Sequence, residues 1–429
     1  MTGHLSAADL LVRQLAACRP QLSADSRQPT ADSRQPSAVW DEVVTIAASH
    51  GLAPLLFKRL KENGARADVP PDAWERLRQA YFASAVRNMR LFGGLRSVLR
   101  RLRSAGIPVI VLKGAYLAEA VYGDVALRPM CDVDLMVPRE ELSRTQATLL
   151  GMGGVHQQFE GIESRCKRRL HLPPVVIRDL AIEIHWTVSS PTGPFRVDAA
   201  GLWDRARPAT ISGVEVLALS PEDLLLHLSL HFCYQHHLAG LRSLCDIAET
   251  IHRFRGEIDW AQVVIRAREW HASRYAGLTL HLARSMMGAR VPDDVLEQLV
   301  PGGLDQRVLE AARESVFAQT GYDQWVPFFD LVGTKSLGDR ARLSWERVFL
   351  SREEMAATYP ASRGSRHLYL YYALRLGHVM RSYWTHTLRR GRLIMQSRGR
   401  DQNVSLVNWL KSGKPERQVK VKAKVQENP

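Results

Sequence analysis

Residues 121–137 read V-Y-G-D-V-A-L-R-P-M-C-D-V-D-L-M-V, and the last six of them decide the fold. Asp132-Val133-Asp134-Leu135-Met136-Val137 alternates polar with apolar and stops at Pro138. Alternation of period two is the mark of a strand, so Asp132 and Asp134 share one face while Val133 and Leu135 share the other. Two carboxylates side by side repel, and such a pair is stable mainly when a cation lies between them. Taken alone, D-x-D is also an ordinary solvent-facing strand face. Its surroundings must decide.

Upstream, Ile107 to Leu112 is a short β-branched apolar run ending at Lys113-Gly114, which predicts a buried strand and then a turn. A short helix is expected over Ala115 to Tyr122. Downstream, Arg139 to Leu150 has helical spacing, closed by Gly151, Gly153 and Gly154. Pro174–Arg178 and Leu180–Trp186 then flank Arg178-Asp179 as a tight hairpin. On its second strand Glu183 and His185 share a face, with Ile182, Ile184 and Trp186 on the core side. Three carboxylates from adjacent strands are what two-metal phosphoryl transfer requires.

Further out the chain reads as helical. The apolar spacing of Trp40 to Leu60 and Pro71 to Arg103 suits amphipathic helices, with Pro71-Asp72 as a helix start. The tandem repeat S-A-D-S-R-Q-P, T-A-D-S-R-Q-P (23–36) has little to bury and is expected as a flexible loop. From Pro221, Leu224, Leu225, Leu228 and Phe232 form an apolar stripe, and helices are expected to about residue 320. The resulting division is an N-terminal helical region over 1–103 with the loop at 23–37, and a small mixed-sheet domain over 104–215. A helical domain over 216–320, a helical basic region over 321–400 and a disordered basic tail over 401–429 complete it.

At 429 residues and 45% apolar content the chain can bury more than one core. No run of about 18 uncharged apolar residues appears, so no transmembrane segment is expected. The N-terminus lacks the order of a secretory signal, and five scattered cysteines form neither a disulfide framework nor a zinc pattern. A reducing, cytoplasmic setting follows. The charge is lopsided: residues 363–429 hold 15 Lys/Arg against three acids, which accounts for +12 of the net +14. Such an end could meet an anionic partner, either RNA or a lipid surface, and its plainer reading is a solvated tail.

The ordered set of motifs resembles the polymerase β-type nucleotidyltransferase superfamily. More closely, it resembles the branch of bacterial uncharacterised nucleotidyltransferases with L-K-G at the turn and R-x-x-x-D-[IV]-D-L after it. The matching stretches are V-I-V-L-K-G-A-Y-L (109–117), the 121–137 segment and A-I-E-I-H-W (181–186). S-H-G-L-A-P-L-L (49–56), L-L-L-H-L-S-L-H-F (224–232) and L-R-S-L-C-D-I-A (241–248) also fit. The resemblance implies an α+β fold: a minimal nucleotidyltransferase palm, a small mixed sheet with helices, flanked by N-terminal and C-terminal helical regions.

The resemblance further implies that Asp132, Asp134 and Glu183 are the catalytic metal ligands, with Glu183 nearest the acceptor hydroxyl. Gly114 would let the backbone approach phosphate, since no Cβ intervenes. The wider superfamily has Gly followed by Gly or Ser at this turn. Here Lys113-Gly114 replaces it, and Lys113 could offer a point charge to the triphosphate or leave the sheet edge into solvent. Arg128 is open between phosphate binding and a structural ion pair.

His227 and His231, four apart on a helix, and His185 are candidate cleft residues. No H-E-x-x-H pattern or cysteine spacing supports a zinc site among them. Arg242 and Asp246 form an i,i+4 pair that is either a helix-surface ion pair or a cleft contact. The implied reaction moves an NMP from an NTP, ATP being the abundant default, to a hydroxyl-bearing acceptor with release of pyrophosphate. Mg2+ or Mn2+ would be the cofactor, and the acceptor could be a small molecule, RNA or a protein. The alternatives are a palm-like domain that binds nucleotide or a partner without transfer, or an RNA- or membrane-surface protein acting through its basic end.

Overall fold

The computed structural model describes residues 6–16 and 37–317, apart from 157, 158, 160, 168 and 237, together with 369–377 and positions 355, 406, 409 and 410. The repeat at 23–36 lies outside the described residues. So do most of the basic region 321–400 and of the tail 401–429.

Among the described residues, α1 (Ala7–Ala16), α2 (Ser37–Ser49), α3 (Ala53–Glu62) and α4 (Pro71–Ser104) precede the sheet. The apolar stretch Trp40 to Leu60 is thus two helices, not one. Gly51 takes φ +65° and ends α2, while Leu52 N–H reaches back to Ala47 O at 2.7 Å and Gly51 N–H to Ala48 O at 3.0 Å. These bonds satisfy carbonyls that the helix end would otherwise leave bare. α4 starts on Pro71 as expected, where the missing N–H is no loss.

The sheet follows, with β1 (Ile110–Val111), α5 (Lys113–Tyr116), β2 (Asp132–Met136), α6 (Leu142–Leu150), α7 (Ile162–Cys166), β3 (Val175–Ile177), β4 (Leu180–His185), α8 (Ala199–Asp204), β5 (Arg207–Ile211) and β6 (Val214–Ala218). Its six strands run in the order β3-β4-β2-β1-β6-β5. β2 is parallel to β4 and antiparallel to β1, and β1 is parallel to β6, so the sheet is mixed. The hairpin at Arg178-Asp179 is present, with Ile177 opposite Leu180. The first strand is shorter than its apolar run, and the helix after it begins at Lys113 and continues as a π-helical turn over Leu117–Val121.

β5 and β6 form a hairpin that the hydrophobic pattern did not single out, and β6 reaches Ala218. Pro208 removes a donor from β5, which is tolerable because β5 is an edge strand. Val133, Leu135, Ile182 and Ile184 are all buried, as the alternation requires. Leu180, on the same side of β4, packs 3.3 Å from the position of a Cβ on Gly94, so α4 covers the apolar face. Trp186 lies one residue past the end of β4 and is only half-buried. It packs against the core as expected while its indole N–H donates to Arg169 O at 3.1 Å.

Helices α9 (Pro221–Leu230), α10 (Leu241–Arg253), α11 (Trp260–Glu269), α12 (Ser273–Met287), α13 (Asp293–Leu299) and α14 (Gln306–Phe317) complete the described body. α9 is buried on all sides, Glu222 and Asp223 included. Arg205 reaches Asp223 at 2.8 Å and Arg266 reaches it at 3.1 Å, so the carboxylates at the start of α9 enter the interior paired. The 369–377 segment is helical and exposes Tyr369, Leu370, Leu374 and Leu376.

Ile184 is 0% exposed in a strand whose other face carries the polar cluster described below. Ile184→Val should lower unfolding stability by about 0.5–1.5 kcal/mol and Ile184→Ala by about 2–5 kcal/mol. Urea midpoints of the two variants check this, and equal midpoints would show that the site relaxes freely around the lost methyls.

Candidate active site

Parallel pairing of β2 and β4 puts Asp134 directly beside Glu183, with Met136 beside His185 and Asp132 beside Ala181. Because the pleat alternates, Asp132, Asp134, Glu183 and His185 all project from the face opposite Val133 and Ile182. Asp134, Glu183 and His185 can each offer a ligand atom, and these atoms lie within 4.8 Å of one another. Among the described residues this is the group that could hold a metal ion. Asp132 stands at the start of β2 with part of its side chain open to solvent and its carboxyl partly enclosed, two residues from the buried Asp134.

The cluster is held by donors. His185 Nε2 lies 2.9 Å from Asp134 Oδ1 and 3.3 Å from Glu183 Oε2. Carboxylates only accept, so Nε2 carries the proton. Lys113 Nζ approaches the same Asp134 oxygen at 3.2 Å. His171, paired with His185 as an isolated bridge, brings its Nε2 to 3.8 Å from Glu183 Oε2. Its place just before Leu172-Pro173-Pro174 gives no periodic signal, and sequence reasoning missed it.

Charge balance varies across the cluster. Burial works to raise the Asp134 carboxyl, but Lys113 and the His185 hydrogen bond outweigh it and hold it well below the usual carboxylate range. Burial raises Glu183 too, and His185 and His171 together bring it below its ordinary value. Asp132 goes the other way: partial burial of its carboxyl and the charges of Asp134 and Glu183 raise it. Burial lowers His185, yet its bonds to the two carboxylates prevail and raise it.

The loop before β2 is tethered on two sides. Arg128 grips Asp246 of α10 bidentately, Nε to Oδ1 at 3.0 Å and Nη2 to Oδ2 at 2.9 Å, and Tyr122 donates its hydroxyl to the same carboxylate at 2.9 Å. Arg242 Nη1 donates to Pro129 O at 3.1 Å. From α4, Asn88 donates to Val125 O and to Arg128 O, at 2.5 and 2.8 Å. The i,i+4 reading of Arg242 with Asp246 therefore gives way: each reaches back to the 122–130 loop. Gly114 is buried, and a Cβ there would come within 3.1 Å of Arg128 Nη1 and 3.2 Å of Met130 Sδ. A side chain there would press on both, so glycine leaves the turn room for this close packing.

The histidines of α9 and the turn after it face this cluster. His227 is fully buried, and neither ring nitrogen finds a hydrogen-bond partner among the described residues. Burial, with Lys113 and His185 nearby, pushes its pKa down to about 3. His231 lies with its ring centroid 6.2 Å from that of His227, and its Nε2 is 3.0 Å from the Nε2 of His236. Burial and Lys113 keep His231 well below its usual value. Neutral imidazoles suit a region that already holds an ammonium.

The family model described as "Uncharacterised nucleotidyltransferase" matches residues 36–288. No curated protein matches the chain. Among solved structures, the solution structure of the antibiotic-resistance factor ANT(2'')-Ia is similar at 17% identity with a TM-score of 0.32, covering 45% of this chain and 97% of that one. A crystal structure of ANT(2'')-Ia in complex with adenylyl-2''-tobramycin is similar at 16% identity with a TM-score of 0.31, covering 43% and 98%.

Two outcomes follow from this geometry. Asp246→Ala strands the buried Arg128 guanidinium and should lower stability by about 3–5 kcal/mol in urea titration; an unchanged midpoint would show that the tether does not secure the loop. His227 stays neutral when folded but takes a proton near its ordinary value when unfolded, so it removes stability as pH falls below about 6.5. His227→Leu should therefore lose about 2 kcal/mol less than the wild type between pH 7 and pH 5. Parallel pH–stability curves for the two proteins would contradict this.

Proposed function

The chain belongs to the uncharacterised nucleotidyltransferase family, and on that premise we propose that it transfers an NMP, AMP from ATP by default, to an acceptor hydroxyl. The observation that supports this best is the register of β2 against β4, which sets Asp134 beside Glu183 with Asp132 on the same face.

Asp134, Glu183 and His185 bring ligand atoms within 4.8 Å of one another, and Asp132 projects from the same face, which supports a divalent cation there. Three carboxylates project from one face, and Asp132 is raised because burial and the charges of Asp134 and Glu183 leave it short of positive charge. Asp132, Asp134 and Glu183 would hold Mg2+ or Mn2+, with the His185 imidazole beside them. When bound, the cation supplies charge neutralisation at the triphosphate and makes the acceptor hydroxyl more acidic.

The protein's own groups do the rest. Glu183 accepts a hydrogen bond from the acceptor hydroxyl and orients it toward the α-phosphorus. His185 fixes the rotamers of Asp134 and Glu183 together. Lys113 offers its ammonium to the triphosphate, and the backbone at Gly114 approaches it closely. Arg128, paired with Asp246, braces the loop beside that turn. The new bond joins acceptor oxygen to α-phosphorus, the bond to the bridging oxygen breaks, and pyrophosphate leaves with that electron pair. The hydroxyl proton passes to solvent.

His227, His231, Arg242 and Asp246 would line or brace the cleft rather than react. The acceptor is to be sought among small molecules, RNA and proteins, since each presents hydroxyls. No helix among the described residues is long and apolar enough to cross a membrane, and a cytoplasmic enzyme would meet NTP directly.

Incubation with each NTP labelled at the α-phosphate, Mg2+ or Mn2+ and cell extract should label an acceptor. Asp134→Ala should reduce transfer by about 1,000-fold or more, the equivalent of several kcal/mol in the barrier. Equal labelling by wild type and Asp134→Ala would sink the reading.

A further inference from the structure

Lys113 sits under strain in the place where the chain turns from β1 into α5. Its φ is +33°, in the left-handed region that is unfavourable by about 1 kcal/mol or more for a residue with a side chain. Such a conformation persists only where the surroundings impose it. Here they do: the side chain is nearly buried and its Nζ is delivered to Asp134 Oδ1 at 3.2 Å. That oxygen also takes the His185 N–H at 2.9 Å, so two nitrogen donors converge on the atom a cation would need. Arg128, the next cation along, is committed to Asp246.

We propose that Lys113 is the resident counter-ion of the cation-free site, competing with the divalent cation for Asp134: saturating cation displaces it, and at low cation concentration it leaves only when a triphosphate offers the ammonium another partner. Like charges a few ångström apart in a nearly buried site repel strongly, so ammonium and cation cannot both rest on Asp134. A nucleotide resolves the conflict because its phosphates accept the flexible lysine stem as a point charge. Cation and nucleotide therefore bind in concert, and either one alone binds weakly. This rests on the metal-assisted reading of the site, but its test requires no turnover.

Mn2+ binding to the full chain without nucleotide, followed by the paramagnetic signal of the free ion, separates the cases. Lys113→Gln should bind Mn2+ at least about tenfold more tightly than the wild type. Lys113→Arg, which keeps the charge, should stay within about threefold of the wild type. Binding by Lys113→Gln that equals or falls below the wild type overturns the proposal. The unmutated protein gives a second reading that does not depend on a variant folding. Amine-reactive labelling of Lys113, read by mass spectrometry, should rise in saturating Mn2+, and unchanged labelling also overturns it. Tighter Mn2+ binding without nucleotidyl transfer would uphold the counter-ion and remove the transferase reading. Transfer with unchanged Mn2+ affinity would do the reverse.

Discussion

Repulsion between carboxylates that the strand register forces together is the constraint around which this molecule is arranged. A parallel pair with Asp134 opposite Glu183 gives neither side chain anywhere to retreat, because the pleat fixes the face and the neighbours fix the rotamers. Left bare, such a pair would weaken the sheet or take up a proton. Instead His185, two residues beyond Glu183 on the same face, spans both carboxylates, and Lys113 arrives from the neighbouring turn. The charges are balanced around Asp134 and unbalanced toward Asp132, which is where added positive charge would gain most.

Holding that arrangement requires a stiff frame, and the frame is built from polar groups that enter the interior in pairs. The loop leading into β2 contains little regular structure, yet α10 holds it through Asp246 and Arg242 and α4 holds it through Asn88. A buried bidentate arginine–aspartate pair adds little net stability, since desolvation offsets most of the attraction, but it tolerates only one geometry. Arginine–carboxylate pairs also form where Arg205 and Arg266 meet Asp223, and where Arg59 of α3 meets Glu249 of α10 at 2.7 Å. Arg266 thereby ties α11 to α9, and Arg59 ties α3 to α10.

Much of the site could be read from local pattern. Alternation in D-V-D-L-M and A-I-E-I-H places the carboxylates and His185 on one face, and a two-residue turn at Arg178-Asp179 makes β3 and β4 a hairpin. Other features were hidden for identifiable reasons. Pro208 and the weak alternation of R-P-A-T-I mask an edge strand. His171 has no periodic context. Arg128 and Asp246 are 118 positions apart, so a local i,i+4 rule paired Asp246 with the wrong arginine.

From the sequence alone came the order of the motifs and the strand face that Asp132, Asp134 and Glu183 share, because side-chain direction along a strand is a local property of the backbone. Only the tertiary structure decided which cation meets which carboxylate. That choice depends on register between strands and on turns such as the one at Lys113, whose φ of +33° no propensity would assign to lysine. Electrostatic partners are selected by distance in space, and distance in space is what the packed sheet and its helices supply.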